Sequence, residues 1–303
     1  MKKIALAICA DENYAFNGAM ALFSASKNIA KDFVIDAFVL DCGISAFSRR
    51  RFERVLLGSN LRLIWLRPDF DTIDHLPLSP WTTKAANARL MLPELLKGRT
   101  EKVIYLDSDM LVLGNIAEMW EFLMDGMCAL ACADEKYRFV KDCRASTVLV
   151  ELGLQLSDVY FNSGLLVINI PRWMGMDISG KTIKILEEKG ASFTHKDQDG
   201  LNFVLRNEWG QLDSRWNVCT PRFFSKDQVD QTIAEEAKII HFTGRPPGRL
   251  GCRHPKRELF YQYVKDSNWF SSIEFFLWRI HLEIRDSVYF SMKRIRSLVR
   301  DKK

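Results

Sequence analysis

The short run Val103-Ile104-Tyr105-Leu106 ends in Asp107-Ser108-Asp109, two carboxylates separated by one small residue. Side chains alternate faces along a strand, so positions two apart point the same way. As the strand runs out, Asp107 and Asp109 are expected to aim together at one hard cation. Carboxylate oxygens suit Mg2+ or Mn2+, and such ions commonly share their coordination sphere with phosphates. Alone, the same pattern also reads as a loop carrying two solvated acids. His241 follows the strand-like Ala237-Lys238-Ile239-Ile240 and is a candidate third ligand, because neutral imidazole with carboxylates suits Mn2+. Asn162-Ser163-Gly164 stands just before a buried strand; Asn and Gly permit a tight backbone approach to a ligand, yet alone the tripeptide reads as a turn. Asp197-Gln198-Asp199 precedes a helix-like stretch, Leu201–Arg206. One of its acids fits a helix cap, which leaves the rest of the polar cluster unexplained.

These residues need a frame. Ile4–Ala10 reads as a buried strand that stops at the polar loop Asp11-Glu12-Asn13-Tyr14, and an apolar periodic stretch follows from Phe16 to Ile29. Phe33–Leu40 is a second strand, Ser45–Leu57 a helix, and Leu61–Leu66 a third strand. Strands alternating with helices predict a mostly parallel α/β sheet. Ligands bind beyond the carboxyl ends of strands in such sheets, where Asp11 and the Asp107/Asp109 pair are both expected.

The chain of 303 residues can bury a substantial core, as one large α/β domain or two smaller ones. Met1-Lys2-Lys3 and the apolar run after it imitate a signal peptide, but Asp11 and Glu12 cut the run short. No uncharged segment has the length of a membrane span. Seven cysteines, an odd number at spacings that match no zinc site, read as small buried thiols and agree with a cytoplasmic location. The formal charge is +5, and residues 270–303 alone carry eight Lys/Arg against four Asp/Glu, or +4. The body is therefore near neutral, which argues against a nucleic-acid-binding face. No nucleophile elbow, Walker A loop, Gly-x-Gly-x-x-Gly or His-Glu-x-x-His occurs, so serine hydrolase, P-loop, dinucleotide dehydrogenase and zinc protease chemistry are disfavoured.

The tail reads as helix. Ile273, Leu277, Ile280, Ile284, Val288, Met292, Ile295 and Val299 recur at three- and four-residue steps among aromatic and basic residues. A basic, aromatic, amphipathic helix can lie in the headgroup layer of an anionic membrane, or pack on the main domain or another subunit. The expected division is 1–264 for a catalytic domain and 265–303 for this tail.

Taken together, the ordered motifs resemble family 8 of the retaining glycosyltransferases, and within it bacterial lipopolysaccharide and lipooligosaccharide galactosyl- and glucosyltransferases. They are Ala10-Asp11-Glu12-Asn13-Tyr14, Ala88-Arg89-Leu90, Tyr105-Leu106-Asp107-Ser108-Asp109, Phe161-Asn162-Ser163-Gly164, Asp197-Gln198-Asp199, Arg215-Trp216-Asn217 and His241-Phe242-Thr243-Gly244. The resemblance implies a GT-A (Rossmann-like) fold, a mixed, mostly parallel sheet flanked by helices. It implies a UDP-sugar donor, UDP-galactose or UDP-glucose, a saccharide acceptor, and Mn2+ (or Mg2+). By matched motif, Asp107, Asp109 and His241 hold the metal, with Ser108 between them. Ala10, Asp11, Asn13 and Tyr14 line the uracil and ribose pocket. Arg89, Asn162, Asp197 and Gln198 face the donor sugar, with Gln198 beneath the anomeric carbon, and Gly244 approaches the diphosphate. Trp81 falls where the family lines its acceptor cleft. A tail docked on the cytoplasmic face of the inner membrane brings the enzyme to a lipid-linked glycan. Its removal from Phe270 onward is expected to lower vesicle binding and spare transfer to a soluble acceptor.

One departure stands out. The family continues from its His-x-x-Gly motif to a Lys-Pro-Trp triplet whose lysine meets the diphosphate. Here the chain reads Arg245-Pro246-Pro247-Gly248-Arg249, with Pro247 at the lysine position. Arg245 or Arg249 supplies the replacement cation, since phosphate accepts guanidinium readily. Two rivals stay in view: a metal-dependent nucleotidyltransferase or phosphohydrolase using Asp107 and Asp109, and, because of the missing lysine, a non-catalytic sugar-nucleotide-binding or scaffold protein.

Overall fold

The computed structural model describes residues 1–78 and 84–300, the last six of these (295–300) as helical backbone only. Trp81 therefore lies outside the described residues, as do the side chains of Ile295 and Val299.

Ten strands are described: β1 Lys2–Ala10, β2 Phe33–Asp41, β3 Leu61–Leu66, β4 Lys102–Leu106, β5 Met110–Val112, β6 Ala129–Ala133, β7 Phe161–Asn169, β8 Trp209–Gln211, β9 Val218–Cys219 and β10 Ile239–His241. Seven form one sheet in the order β3-β2-β1-β4-β7-β6-β8. The pairs β1–β2, β2–β3, β1–β4 and β6–β8 are parallel, and β7 runs antiparallel to both β4 and β6. The expected mixed, mostly parallel sheet is thus observed. Its burial is two-sided. Along β1, Ile4, Leu6, Ile8 and Ala10 enter one apolar cluster while Ala5, Ala7 and Cys9 enter the other. Strands covered on both faces read as continuous apolar runs rather than alternating ones, which is why β1 and β2 are plain in the sequence.

A second, three-stranded sheet, β5-β10-β9, stands beside the first. The chain passes from one sheet to the other at residues 107–109, between β4 and β5. Three expectations shift here. The strand ends at Leu106, so Asp107 and Asp109 occupy a turn rather than alternate positions of a strand. Asn162 lies inside β7, not before it, and the helix expected over Leu201–Arg206 starts earlier and spans Asp197–Val204.

The C-terminal helix, Ser272–Arg300, packs on the preceding part of the chain. Leu282 and Trp269 are buried in the same apolar cluster as β1, with Phe275 and Trp278 packed against it. Phe16 on the first helix (Ala15–Asn28) is ringed by Phe260, Trp269, Phe270 and Trp278, with ring centroids 5.4 to 5.9 Å away. Among the described residues no helix is long and apolar enough to cross a membrane.

Candidate active site

The turn between β4 and β5 is fastened from both sides. Asp107 N donates to Gly164 O on β7 at 2.7 Å, and Phe242 N donates to Asp109 O at 2.9 Å. The second bond continues the antiparallel pairing of β5 with β10, in which Met110 faces His241. One ligand atom each from Asp107, Asp109 and His241 consequently lies within 4.8 Å of the others. His241 Nε2 is 3.3 Å from Asp109 Oδ1 and 3.8 Å from Asp107 Oδ2.

Three observations fit this cluster to a hard divalent cation. First, two carboxylates and an imidazole are a donor set that Mn2+ or Mg2+ accepts. Second, His241 Nδ1 lies 3.0 Å from Asn217 Oδ1. An amide oxygen only accepts, so Nδ1 carries hydrogen and Nε2 is the atom aimed at the carboxylates. Third, Gly164 leaves the space open. A Cβ there would stand 2.5 Å from His241 Cε1 and 2.8 Å from Asp107 Oδ2. Burial alone would lower the His241 pKa, but the charge and hydrogen bond of Asp109 and the charges of Asp107 and Asp134 together outweigh it, and the net shift is upward. In the metal-free protein these carboxylates favour the imidazolium, the place a cation would take.

Arg89 holds the back of the site. Its guanidinium donates to Ser163 O (2.6 Å) and Ala86 O (2.9 Å), and pairs with Asp107 Oδ1 (3.0 Å) and Asp197 Oδ2 (3.2 Å). Tyr105 Oη donates to the same Asp107 Oδ1 at 2.6 Å. Asp107 is therefore oriented by two donors at one oxygen, with the other turned toward His241. Burial raises the Asp197 carboxyl to about 6, against the opposing pull of Arg89. Asp199 serves the fold instead. It accepts from Tyr160 Oη (2.6 Å) and from His195 N (2.7 Å) just ahead of its own helix.

The pairing of β6 with β7 slips between Ala131 and Cys132, so Asn162 sits opposite Cys132 and residues 163–165 bulge. Bulges re-aim side chains beside active sites. This one turns Ser163 N to Gln198 Oε1 (3.0 Å) and Asn162 Nδ2 to Asp134 Oδ2 (3.0 Å). Gln198 Nε2 also donates to Asp134 Oδ2, at 3.3 Å.

In front of these groups lies a cleft of about 870 Å3, lined by Asn13, Tyr14, Asp109, Asp134, Asn162, Gln198, Gly244 and Arg245 among others. That volume suits a ligand of nucleotide-sugar size. The alignment of motifs with this cleft agrees with the comparison to known families: the model described as "Glycosyl transferase family 8" matches residues 5–246. The chain belongs to glycosyl transferase family 8. It is 28% identical over 274 residues to general stress protein A of Bacillus subtilis, covering 86% of this chain and 93% of that one. It is 26% identical over 288 residues to the lipopolysaccharide 1,3-galactosyltransferase of Salmonella typhimurium, covering 86% and 82%. Among solved structures it is similar to the galactosyltransferase LgtC in complex with donor and acceptor sugar analogs. The TM-score is 0.73 and the identity 25%, covering 87% of this chain and 96% of that one. The fold is accordingly GT-A-like.

Within this family 8 chain, the residues singled out from the sequence divide by position. Asn13, Tyr14, Asp109, Asn162, Gln198, Gly244 and Arg245 reach the cleft. Arg89 and Asp197 are buried behind its wall. Ala10 ends β1 with no exposure, and Asp11 accepts from Tyr14 N at 3.1 Å, shaping the loop. Ser108 turns its hydroxyl away from the cleft to Cys9 O, at 2.7 Å, tying the acidic turn to β1. Sequence reasoning missed Asp134 and the linking role of Asn217. Asp134 follows strand β6, and its only signal was the acidic pair Asp134-Glu135 at the carboxyl end of that strand.

Proposed function

We propose that this glycosyltransferase moves galactose or glucose from a UDP-sugar to a saccharide of the lipopolysaccharide type, with retention, using Mn2+ (or Mg2+) at Asp107, Asp109 and His241. The observation that carries the reading is the convergence of those three ligand atoms beside a cleft walled by Gln198 and Asn162. The names of relatives add support for the acceptor class, including a lipopolysaccharide 1,2-glucosyltransferase of Escherichia coli at 24% identity.

In this reading Asn13 and Tyr14 border the nucleoside. Arg249 stiffens that end, donating to Asn13 O at 2.9 Å with its guanidinium over the Tyr14 ring. Arg245, adjoining Gly244 on the cleft wall, takes the place of the family lysine at the diphosphate. The bound cation supplies Lewis-acid stabilisation of charge building on the leaving diphosphate. Arg89 and Tyr105 keep Asp107 fixed for that task, and Asp197 orients a hydroxyl of the donor sugar. Gln198 lies beneath the anomeric carbon, where an amide held at both ends is a poor nucleophile. Front-face attack by the acceptor hydroxyl follows: the bond from the anomeric carbon to the β-phosphate oxygen breaks, and the new glycosidic bond forms on the same face. The departing phosphate oxygen takes the acceptor proton.

Residues 1–264 carry this chemistry. Residues 265–303 place it at an anionic membrane on the cytoplasmic side, where the helix presents Ile273, Leu277, Ile284 and Val288 to the surroundings. A donor screen with Mn2+, read by UDP release with and without a saccharide acceptor, tests the assignment. Release that requires the acceptor is expected, and Asp109→Asn should abolish transfer and metal-dependent UDP binding together. Full activity of that variant would remove the metal site. Release without acceptor would point to a phosphohydrolase or nucleotidyltransferase, and tight UDP binding without turnover to a non-catalytic binder.

A further inference from the structure

His241 is not oriented by a backbone carbonyl but by a run of side chains that starts at a carboxylate. Asp134 is buried, and every donor that faces it is an N–H. Oδ1 accepts from Lys136 N and Tyr137 N, both at 2.9 Å, and Oδ2 accepts from Asn162 Nδ2 and Gln198 Nε2. Asn162 thereby has its amide nitrogen committed to Asp134, and its Oδ1 faces the other way. That oxygen accepts from Gly164 N at 3.1 Å and from Asn217 Nδ2 at 2.9 Å. Asn217 is then also fixed, with Oδ1 toward His241 Nδ1 at 3.0 Å. Asn217 and His241 are buried away from water, with Cys219 Sγ 3.8 Å from both Asn217 Oδ1 and His241 Nδ1 as a weak further neighbour, while Asn162 also borders the cleft.

An amide can present either end, and a neutral imidazole can carry its hydrogen on either nitrogen. A carboxylate has no such freedom, because it only accepts. We infer that Asp134 is a positioning residue for the cation site: acting through Asn162 and Asn217, it fixes the hydrogen of His241 on Nδ1 and keeps Nε2 free to ligate. It does this without touching any of the three ligands. The inference rests on the reading that Asp107, Asp109 and His241 hold a divalent cation.

The relay makes an unusual prediction for single and paired substitutions. In Asp134→Asn, the new amide must keep its oxygen on Lys136 N and Tyr137 N, which sets its nitrogen against Asn162 Nδ2. Relief requires Asn162 to turn over at the cost of its bond from Gly164 N, then Asn217, and the hydrogen of His241 moves to Nε2. Loss of such an outer partner weakens metal binding by about 10- to 100-fold. Asn162→Asp alone sets two carboxylates face to face and should weaken it as well. In the pair D134N/N162D the acceptor-only group merely moves one place along the relay. The carboxylate, now on β7, accepts from the amide nitrogen introduced opposite it and from Gly164 N and Asn217 Nδ2, and His241 again carries its hydrogen on Nδ1.

The test is Mn2+ affinity, measured by titration calorimetry on the full chain without substrate, together with 15N NMR of histidine in the metal-free protein at a pH where the ring is neutral. Weak binding in each single variant and recovery of most of the lost affinity in the pair are expected. The ring should be in the Nδ1–H form in wild type and in the pair, and in the Nε2–H form in D134N. Should D134N fold poorly, N162D and the pair still decide the matter, since a merely structural defect would not be reversed by a second change. Wild-type Mn2+ affinity in D134N, or a pair no better than its singles, would overturn the inference alone. Absence of Mn2+ binding in wild type would overturn the cation site and the relay with it.

Discussion

Gly164 shows how much one missing methyl group can decide. Its neighbours are not passive packing atoms but the ring of His241 and the carboxylate of Asp107, both closer to a hypothetical Cβ than any real one tolerates. Gly164→Ala must displace at least one of them. Overpacking of this kind costs about 1–3 kcal/mol. The larger expected effect is on Mn2+ affinity, which should fall at least tenfold while the melting temperature drops by a few degrees at most; calorimetry and a thermal melt on the same sample separate the two. Asp197 makes the second residue-scale case. Burial holds its carboxyl up at about 6 against the pull of Arg89, with the negative charges of Asp107 and Asp199 adding to the rise. The group is therefore ionised above that value and takes up a proton below it. A protonated Asp197 no longer balances Arg89 and loses the sugar-hydroxyl contact proposed for it, so kcat/KM for the donor should decline below about pH 6. Asp197→Asn should lower the plateau and flatten this limb. A limb that survives the substitution belongs to another group.

At the scale of elements, the site exists because two sheets meet. The larger sheet delivers Asp107 at the end of β4, and the smaller one delivers His241 at the end of β10. The bulge in β7 brings Asn162 and Gly164 between them. The first strands of the larger sheet were legible in the sequence, since β1, β2 and β3 are mostly apolar runs, interrupted inside only by Asp36 and Arg62. Leu61–Leu66 was located to the residue, and Phe33–Asp41 to within one. The Asp107/Asp109 pair was picked out by way of the wrong geometry. Strand alternation suggested a shared face, whereas a turn fastened to Gly164 and Phe242 produces the convergence. The bulge was not legible at all. Phe161–Asn169 has the composition of any buried strand, and a register slip depends on the partner β6 rather than on local sequence. Asp134 escaped notice for a related reason. Its meaning lies in the four N–H groups from three separate segments that surround it, and none of these is near enough in sequence, apart from Lys136 and Tyr137, to have marked it.

Across the whole molecule the C-terminal helix has two faces with different work. With 29 residues it runs about 43 Å. One face closes the aromatic cluster around Phe16 and fastens the loop that borders the cleft. Asp286 Oδ1 accepts from Gly251 N at 2.7 Å, Arg285 donates to Gly248 O at 3.2 Å, and Tyr289 Oη accepts from Arg245 at 2.9 Å. Tyr289 itself lines the cleft. The other face leaves Ile273, Leu277, Ile284, Val288 and Met292 exposed. Cutting the chain at Phe270 therefore does more than remove the proposed membrane contact. It exposes the packed rings around Phe16, each pair of which contributes about 0.5–1.5 kcal/mol beyond the area it buries. It also frees Arg245 and the Gly244–Gly251 loop. Loss of transfer to a soluble acceptor and a lower melting temperature are expected, in place of the spared activity that the sequence suggested. Ile284 and Val288 are more than half exposed, so serine at both should weaken binding to anionic vesicles and leave the melting temperature and soluble transfer close to wild type. Vesicle sedimentation, UDP release and a thermal melt on both proteins separate the two faces. A truncated chain with full soluble activity would show that the inner face does no more than hold the outer one in place.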